Sequence, residues 1–168
     1  NKTAVPSFWA AMDLLKVNVL SAFALALGVG PDFFHESHSE EWNTLRLLHY
    51  IPVVPETSAT SPPTKYRVGP HSDYGTITLL IQDAVGGLQV LDRVTGHWRS
   101  VPPIENTILV NTADMMMRWT NDAFPSTLHR VVASSPVEAE RVAATRDRYS
   151  IVFFVNANQE WIVRAVPH

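Results

Sequence analysis

Apolar side chains follow two different patterns along this chain. Over residues 6–27 they are dense: Met12, Leu14, Leu15, Val17, Val19, Leu20, Phe23, Leu25 and Leu27 cover nearly every side of a helix. A helix apolar all round is normally buried all round, so full burial is expected here. Ser7 is the expected N-cap, and Gly28, Gly30 and Pro31 the expected stop. Residues 32–41 read as a polar turn region with room for one helical turn. Residues 45–51 (LRLLHYI) are a candidate strand ended by Pro52, and residues 55–64 (PETSATSPPT) a surface loop.

Beyond that loop the period shortens to that of strands. Apolar runs occupy residues 66–68, 76–81, 88–91, 97–101, 107–111, 127–132 and 149–155, and turn residues such as Gly75, Gly86, Gly87, Gly96, Pro102, Pro103 and Pro125 separate them. Residues 113–119 can form a short helix. The expected fold is mainly β, a two-sheet sandwich or jelly roll preceded by an N-terminal α-helix.

Composition narrows the function classes. The length of 168 residues suits one domain. Charged residues make up 17%, below the usual share of about 25%. Thirteen Lys and Arg against sixteen Asp and Glu leave a net charge of −3, which speaks against an electrostatic nucleic-acid binder. The absence of cysteine excludes disulfides, thiolate zinc sites and a cysteine nucleophile. It fits a reducing compartment. A cytoplasmic location is expected, and separately a monomer. The charge-free stretch of residues 17–30 is shorter than the roughly 20 residues of a membrane span and lacks the basic start of a signal peptide, so no membrane association is expected. The chain starts without Met, and its apolar helix outweighs the protein left to cover it. Both features read as a fragment of something larger.

The candidate chemistry is compact. In extended chain, residues i and i+2 share a face, so the His71 imidazole and the Asp73 carboxylate can meet. His129, in STLHRVV, lies on a strand whose alternation puts Thr127, His129 and Val131 together. Two imidazoles and a carboxylate can hold one face of an octahedral metal, the arrangement suited to non-haem Fe(II). Spacing alone also allows a turn aspartate and two ordinary histidines. Arg148 and Ser150 sit at i and i+2 of the apolar run RYSIVFFVNA. A guanidinium there could grip a carboxylate bidentately with the hydroxyl beside it, or pair with Asp147 or Glu105, or face solvent.

Taken together, LRLLHY, GPHSDYGTITLLIQDAVGGLQVLD, HWRSVPPIENTILVNTADMMMRWTND, STLHRVV and RYSIVFFVNANQE resemble, in order and spacing, the iron- and 2-oxoglutarate-dependent dioxygenases of the isopenicillin N synthase-like superfamily over residues 45–157. The resemblance implies a double-stranded β-helix, with residues 1–43 as a helical lead-in and residues 44–168 as a jelly-roll domain truncated at its C-terminal end. It implies His71, Asp73 and His129 as iron ligands. It implies Arg148 and Ser150 as the pair that holds the distal carboxylate of 2-oxoglutarate, with the Tyr50 hydroxyl reaching the same group. Leu48 departs from the pattern, since many plant-type members have Asn there. Implied cofactors are Fe(II), 2-oxoglutarate and O2, with ascorbate a further candidate. The implied reaction couples decarboxylation of 2-oxoglutarate to hydroxylation, desaturation or ring closure of a small organic substrate. Three rivals stay open: an Fe(II) oxidase of the same family that does not use 2-oxoglutarate, a non-catalytic jelly-roll module, and a zinc hydrolase.

Other conspicuous residues read as structural. His35 and His38 are expected on the surface, His49 on the strand face opposite Tyr50, His97 exposed and His168 terminal. Met115, Met116 and Met117 read as core beside Trp119, and Asp114 as a helix-start cap. Gly86 and Gly87 read as a turn. Trp9, Trp42, Trp98 and Trp161 read as packing residues, and Phe153 as a candidate for the pocket wall.

Overall fold

The computed structural model describes residues 3–52, 66–133 and 145–166. The expected loop at residues 55–64 and the terminal His168 lie outside them. The elements, in chain order, are helix α1 (Ala4–Ala26), a single 3-10 turn (Glu36–His38), β1 (Thr44–Tyr50), β2 (Tyr66–His71), β3 (Ile77–Gln82), β4 (Leu88–Leu91), β5 (Trp98–Ser100), β6 (Leu109–Thr112), α2 (Asp114–Trp119), β7 (His129–Val132) and β8 (Arg148–Val155). The strands form two four-stranded sheets of order β1-β8-β3-β6 and β2-β7-β4-β5, with antiparallel pairings throughout. Among the described residues this is the two-sheet, eight-stranded jelly-roll arrangement.

Helix α1 begins earlier than its sequence suggests. Ser7 is not the cap: its N–H already donates to the Thr3 carbonyl (3.1 Å), inside the first turn. Pro6 is tolerated ahead of it because first-turn N–H groups have no intrahelical partner to lose. At the other end the chain leaves the helix through Gly28 (φ 73°), and the Val29 N–H closes on the Ala24 carbonyl (3.1 Å), as a left-handed C-terminal residue permits.

Burial of α1 is narrower than its composition predicts. The fully buried positions are Met12, Lys16, Leu20 and Ala24, one stripe at i, i+4, while Leu14 and Leu25 are 65% and 63% exposed. The helix is 23 residues long, and by length and composition it meets the requirements of a membrane-crossing segment. The charge-free stretch of residues 17–30 is shorter than the helix because Asp13 and Lys16, an ion pair (2.5 Å), lie in the helix just ahead of it. Its buried stripe packs against a sheet.

That sheet separates two enclosures. On its outer face Ile77 and Leu79 of β3 and Phe153 and Val155 of β8 join Met12, Leu20, Ala24, Phe34, Met116 and Trp119 in the main apolar core. Trp9 meets Phe153 edge-on (centroids 5.1 Å), and Phe34 meets Trp119 (5.4 Å). Met115, by contrast, is exposed, so the Met115–Met117 run is only partly core. On the inner face the alternate residues Thr78, Leu80, Arg148, Ser150, Val152 and Phe154 line a cavity between the two sheets. Phe153 therefore belongs to the core, and Phe154 to the cavity wall. The period-two pleat of β8 makes that division.

Candidate metal and dicarboxylate site

His71 ends β2 and His129 begins β7, directly opposite each other in the ladder. Asp73 follows two residues after β2. The ligand atoms of His71, Asp73 and His129 lie within 4.8 Å of one another. His71 Nε2 is 3.8 Å and His129 Nε2 3.7 Å from Asp73 Oδ1. The imidazoles are oriented by their own backbones: Nδ1–H of His71 donates to the Gly69 carbonyl (2.9 Å) and Nδ1–H of His129 to the Thr127 carbonyl (3.0 Å). A carbonyl can only accept, so both rings carry their proton on Nδ1 and present a bare Nε2 lone pair to the same point.

The carboxylate is divided in the same way. Asp73 is buried, and its Oδ2 accepts from Thr78 Oγ1 (2.7 Å) and Asn111 Nδ2 (2.9 Å). Oδ1 is left facing the two imidazoles. Outer partners of this kind fix a ligand's orientation. The loop carrying Asp73 is itself pinned. The Asp73 and Gly75 carbonyls accept the Asp114 and Met115 N–H groups at the start of α2 (2.9 and 3.0 Å). A side chain at Gly75 would strike the Val155 carbonyl and the Asn156 side chain, so only glycine lets the loop lie this close to the end of β8. Asp114 is inside the helix rather than its cap, which is Ala113; its carboxylate accepts from Ser72 Oγ (3.3 Å).

One further support comes from a residue expected on the surface. His38 is buried within a network. Its Nδ1 faces the Phe34 carbonyl (2.9 Å), and its Nε2 accepts from Thr76 Oγ1 (2.8 Å). Burial, aided by the positive charge of Lys16 and opposed by the bond to Phe34, lowers its pKa to about 4. Neutral His38 thus ties the 3-10 turn to the loop that carries Asp73. His35 does lie at the surface, near Asp32 (3.4 Å). His49 stacks on Tyr149 and bonds Asp147 (2.7 Å), away from the cavity.

At the far end of the cavity, Arg148 is 1% exposed. Its Nε donates to the Gly86 carbonyl (2.8 Å), Nη2 to Gln82 Oε1 (3.1 Å) and Nη1 more weakly to Ser150 Oγ (3.4 Å). Its guanidinium lies over the Tyr50 ring (4.9 Å), and Tyr50 is its register partner across β1. Among the described residues no carboxylate forms an ion pair with it; neither Asp147 nor Glu105 does so. Burial lowers its pKa below the usual arginine range, opposed chiefly by Tyr50 and the nearby Asp83. A buried guanidinium without an anion is costly, and this one faces the same cavity as the triad. Between the two ends the walls are apolar: Leu48, Leu80, Val90, Val131 and Val152 among others. The cavity holds about 170 Å³, room for a small molecule rather than a single water.

The structure thus brings together all six residues singled out in the sequence. Thr78, Asn111, Gln82, Gly86 and His38 escaped that reading. For Thr78 a signal existed, a polar residue at an inward position of an apolar strand.

Comparison with known proteins agrees with this geometry. The family model for the 2OG-Fe(II) oxygenase superfamily matches residues 42–157. The chain is similar to the 2-oxoglutarate-Fe(II) type oxidoreductase hxnY of Emericella nidulans, with 37% identity over 99% of this chain and 44% of that protein. It is also similar to clavatol oxidase claD of Penicillium crustosum, at 36% identity over 97% of this chain and 45% of the other. Among solved structures it resembles a full-length Neurospora crassa protein crystallised with alpha-KG and thymine. There the TM-score is 0.87 at 38% identity, over 99% of this chain and 48% of that one. The chain spans less than half the length of the curated relatives it matches. With the family model covering its whole β region and both ends of the cavity, the chain belongs to the 2OG-Fe(II) oxygenase superfamily.

Proposed function

We propose that this chain carries the catalytic centre of a non-haem Fe(II) dioxygenase. The reaction couples oxidative decarboxylation of 2-oxoglutarate to oxidation of a C–H bond in a small organic substrate. The observation that carries the reading is the buried guanidinium of Arg148, which no carboxylate among the described residues pairs, facing the His71, Asp73 and His129 donors across one apolar cavity.

The donor set fits the metal. Two neutral imidazoles and one carboxylate oxygen suit Fe(II), and no thiolate stands in reach of oxidation. The far end fits a diacid: Arg148 and Ser150 can grip a carboxylate that Tyr50 flanks. When bound, the iron would supply O2 activation, and 2-oxoglutarate the two electrons, leaving as succinate and CO2. The protein's own part is orientation and exclusion of water. Thr78 and Asn111 hold Asp73 Oδ2 so that Oδ1 stays available. The backbone carbonyls of Gly69 and Thr127 keep Nε2 of each histidine bare. The apolar walls keep the centre dry. The thymine found with the Neurospora crassa relative supports a small-molecule substrate.

The test is anaerobic titration of the chain with Fe(II) and 2-oxoglutarate, followed by visible absorption. A weak charge-transfer band is expected in the wild type and absent from Asp73→Ala. In Arg148→Gln the band should need about tenfold or more 2-oxoglutarate, since a charge-assisted pair is lost. An unchanged titration in Arg148→Gln, or a normal band in Asp73→Ala, overturns the assignment.

A further inference from the structure

The cavity has a second cation, at the opposite end from Arg148. Arg46 of β1 lines it. The register places Arg46 opposite Val152, four residues along β8 from Arg148. Its guanidinium lies over the ring of Phe154, with Cζ 5.2 Å from the centroid. Phe154 is paired with Thr78, Thr78 with Asn111, and those two hold Asp73. The guanidinium therefore rests on the cross-strand row that carries the triad's carboxylate.

Arg46 differs from the other arginines on the inner or outer faces of the sheets. Arg148 donates to Gly86, Gln82 and Ser150. Arg130 donates to Gln89 (2.7 Å) and Tyr66 (3.1 Å). Arg46 is exposed at the mouth, and among the described residues it has no ion pair and no hydrogen bond. Its one fixed contact is the face of Phe154. Stacking holds the plane of a guanidinium while leaving its N–H edge free, and that edge matches a coplanar pair of oxygens.

We infer that Arg46 recognises the substrate, and that the substrate carries a planar oxygen-acceptor group of which a carboxylate is the strongest case. This rests on the function proposed above. There, one carboxylate of 2-oxoglutarate is assigned to Arg148 at the far end of the cavity, whereas Arg46 lies beside the Asp73 row and at the exposed side of the same cavity, the place left for the second organic ligand. The stack on Phe154 sets the direction from which that group enters. Arg46 is thereby a specificity-determining residue, with the reacting C–H carried a short distance beyond the acceptor group.

The test uses calorimetric titration of the Fe(II)-loaded chain under nitrogen. The probes are 2-oxoglutarate first and then, at saturating 2-oxoglutarate, benzoate and its uncharged counterpart benzyl alcohol. The wild type is expected to prefer benzoate by about tenfold, the worth of a charge-assisted contact at a partly exposed site. Arg46→Met keeps the apolar stem and should abolish the preference while leaving 2-oxoglutarate affinity unchanged. Arg46→Lys keeps the charge but not the planar fork, and should retain part of the preference. Retained 2-oxoglutarate binding also reports that each variant is folded. No benzoate preference in the wild type, an undiminished one in Arg46→Met, or weakened 2-oxoglutarate binding in Arg46→Met overturns the inference. Failure of 2-oxoglutarate to bind the wild type instead removes the functional reading beneath it.

Discussion

Acidification should weaken this fold through His38 in particular. The imidazole is enclosed by Phe34, Ser37, Thr76 and the ring of Trp119 (centroids 5.5 Å), with Lys16 Nζ 3.3 Å from the His38 carbonyl. Burial holds its pKa at about 4, against 6.5 for the free side chain. Above pH 6.5 the ring is neutral in folded and unfolded chains alike, and its stabilising bonds are fully present. Below pH 6.5 the unfolded chain takes up a proton that the folded chain refuses, so stability falls as pH drops from 6.5 towards 4. At about 1.4 kcal/mol for each pH unit, that gap is worth about 3 kcal/mol. His38→Gln removes the titration, at the expense of about 1–2 kcal/mol of lost hydrogen bonding at neutral pH. Urea unfolding between pH 7.5 and 4.5, followed by tryptophan emission, compares the two proteins directly. The wild type is expected to start more stable and to converge on the variant as pH falls, because every other titrating group is common to both. Parallel stability profiles would show that His38 is not held neutral and would refute the argument.

Other substitutions separate the layers of the site. Thr78→Val removes one of two hydrogen bonds to Asp73 Oδ2 while keeping a strand-compatible shape, so Fe(II) affinity measured by chelator competition should fall about tenfold; unaltered affinity would mean Asn111 alone suffices. Gly75→Ala forces a methyl against the Val155 carbonyl, and a stability loss of about 1–3 kcal/mol in denaturant is expected together with weaker metal binding. Phe153→Ala, in the core, should lose about 3–5 kcal/mol of stability, whereas Phe154→Ala, on the cavity wall, should lose less and should weaken benzoate binding by freeing Arg46; equal stability losses would contradict the division of β8 into two faces.

Much of the fold was legible because the strand signal is local. The expected runs at residues 88–91 and 149–155 fall within a residue of β4 and β8, each bounded by turn residues. His71, Asp73, His129, Arg148 and Ser150 were legible for a different reason: each is a polar residue at an inward position of an apolar strand or beside one, and the motif strings around them carry the family resemblance. The side taken by Phe153 is hard to read from the sequence because YSIVFFV has no polar residue to tell its two faces apart beyond Ser150. The parity of Arg148 and Ser150 does mark the even positions as the cavity side, and Phe154 follows from it. His38 was illegible because ESHSEE reads as solvent-facing, and only the tertiary fold brings the Thr76 hydroxyl to its ring. The outer side of α1 failed differently: its composition calls for burial that these residues supply along one stripe only.

The two faces of β8 make stability and chemistry interdependent. Phe153 and Val155 fix the strand's register from behind, through the packing of Trp9 and the α1 stripe. That register sets which residues point into the cavity. A slip by one position would turn Tyr149 and Ile151 inward and drive Arg148 into an apolar core with no anion to meet it. The bulky core residues therefore do more than fill volume: they exclude the register in which the guanidinium is misplaced. In the native register the Gly86 carbonyl and Gln82 already satisfy two sides of Arg148. Nη1 reaches Ser150 Oγ at 3.4 Å, and the guanidinium lines the cavity, where a carboxylate would complete its hydrogen bonding.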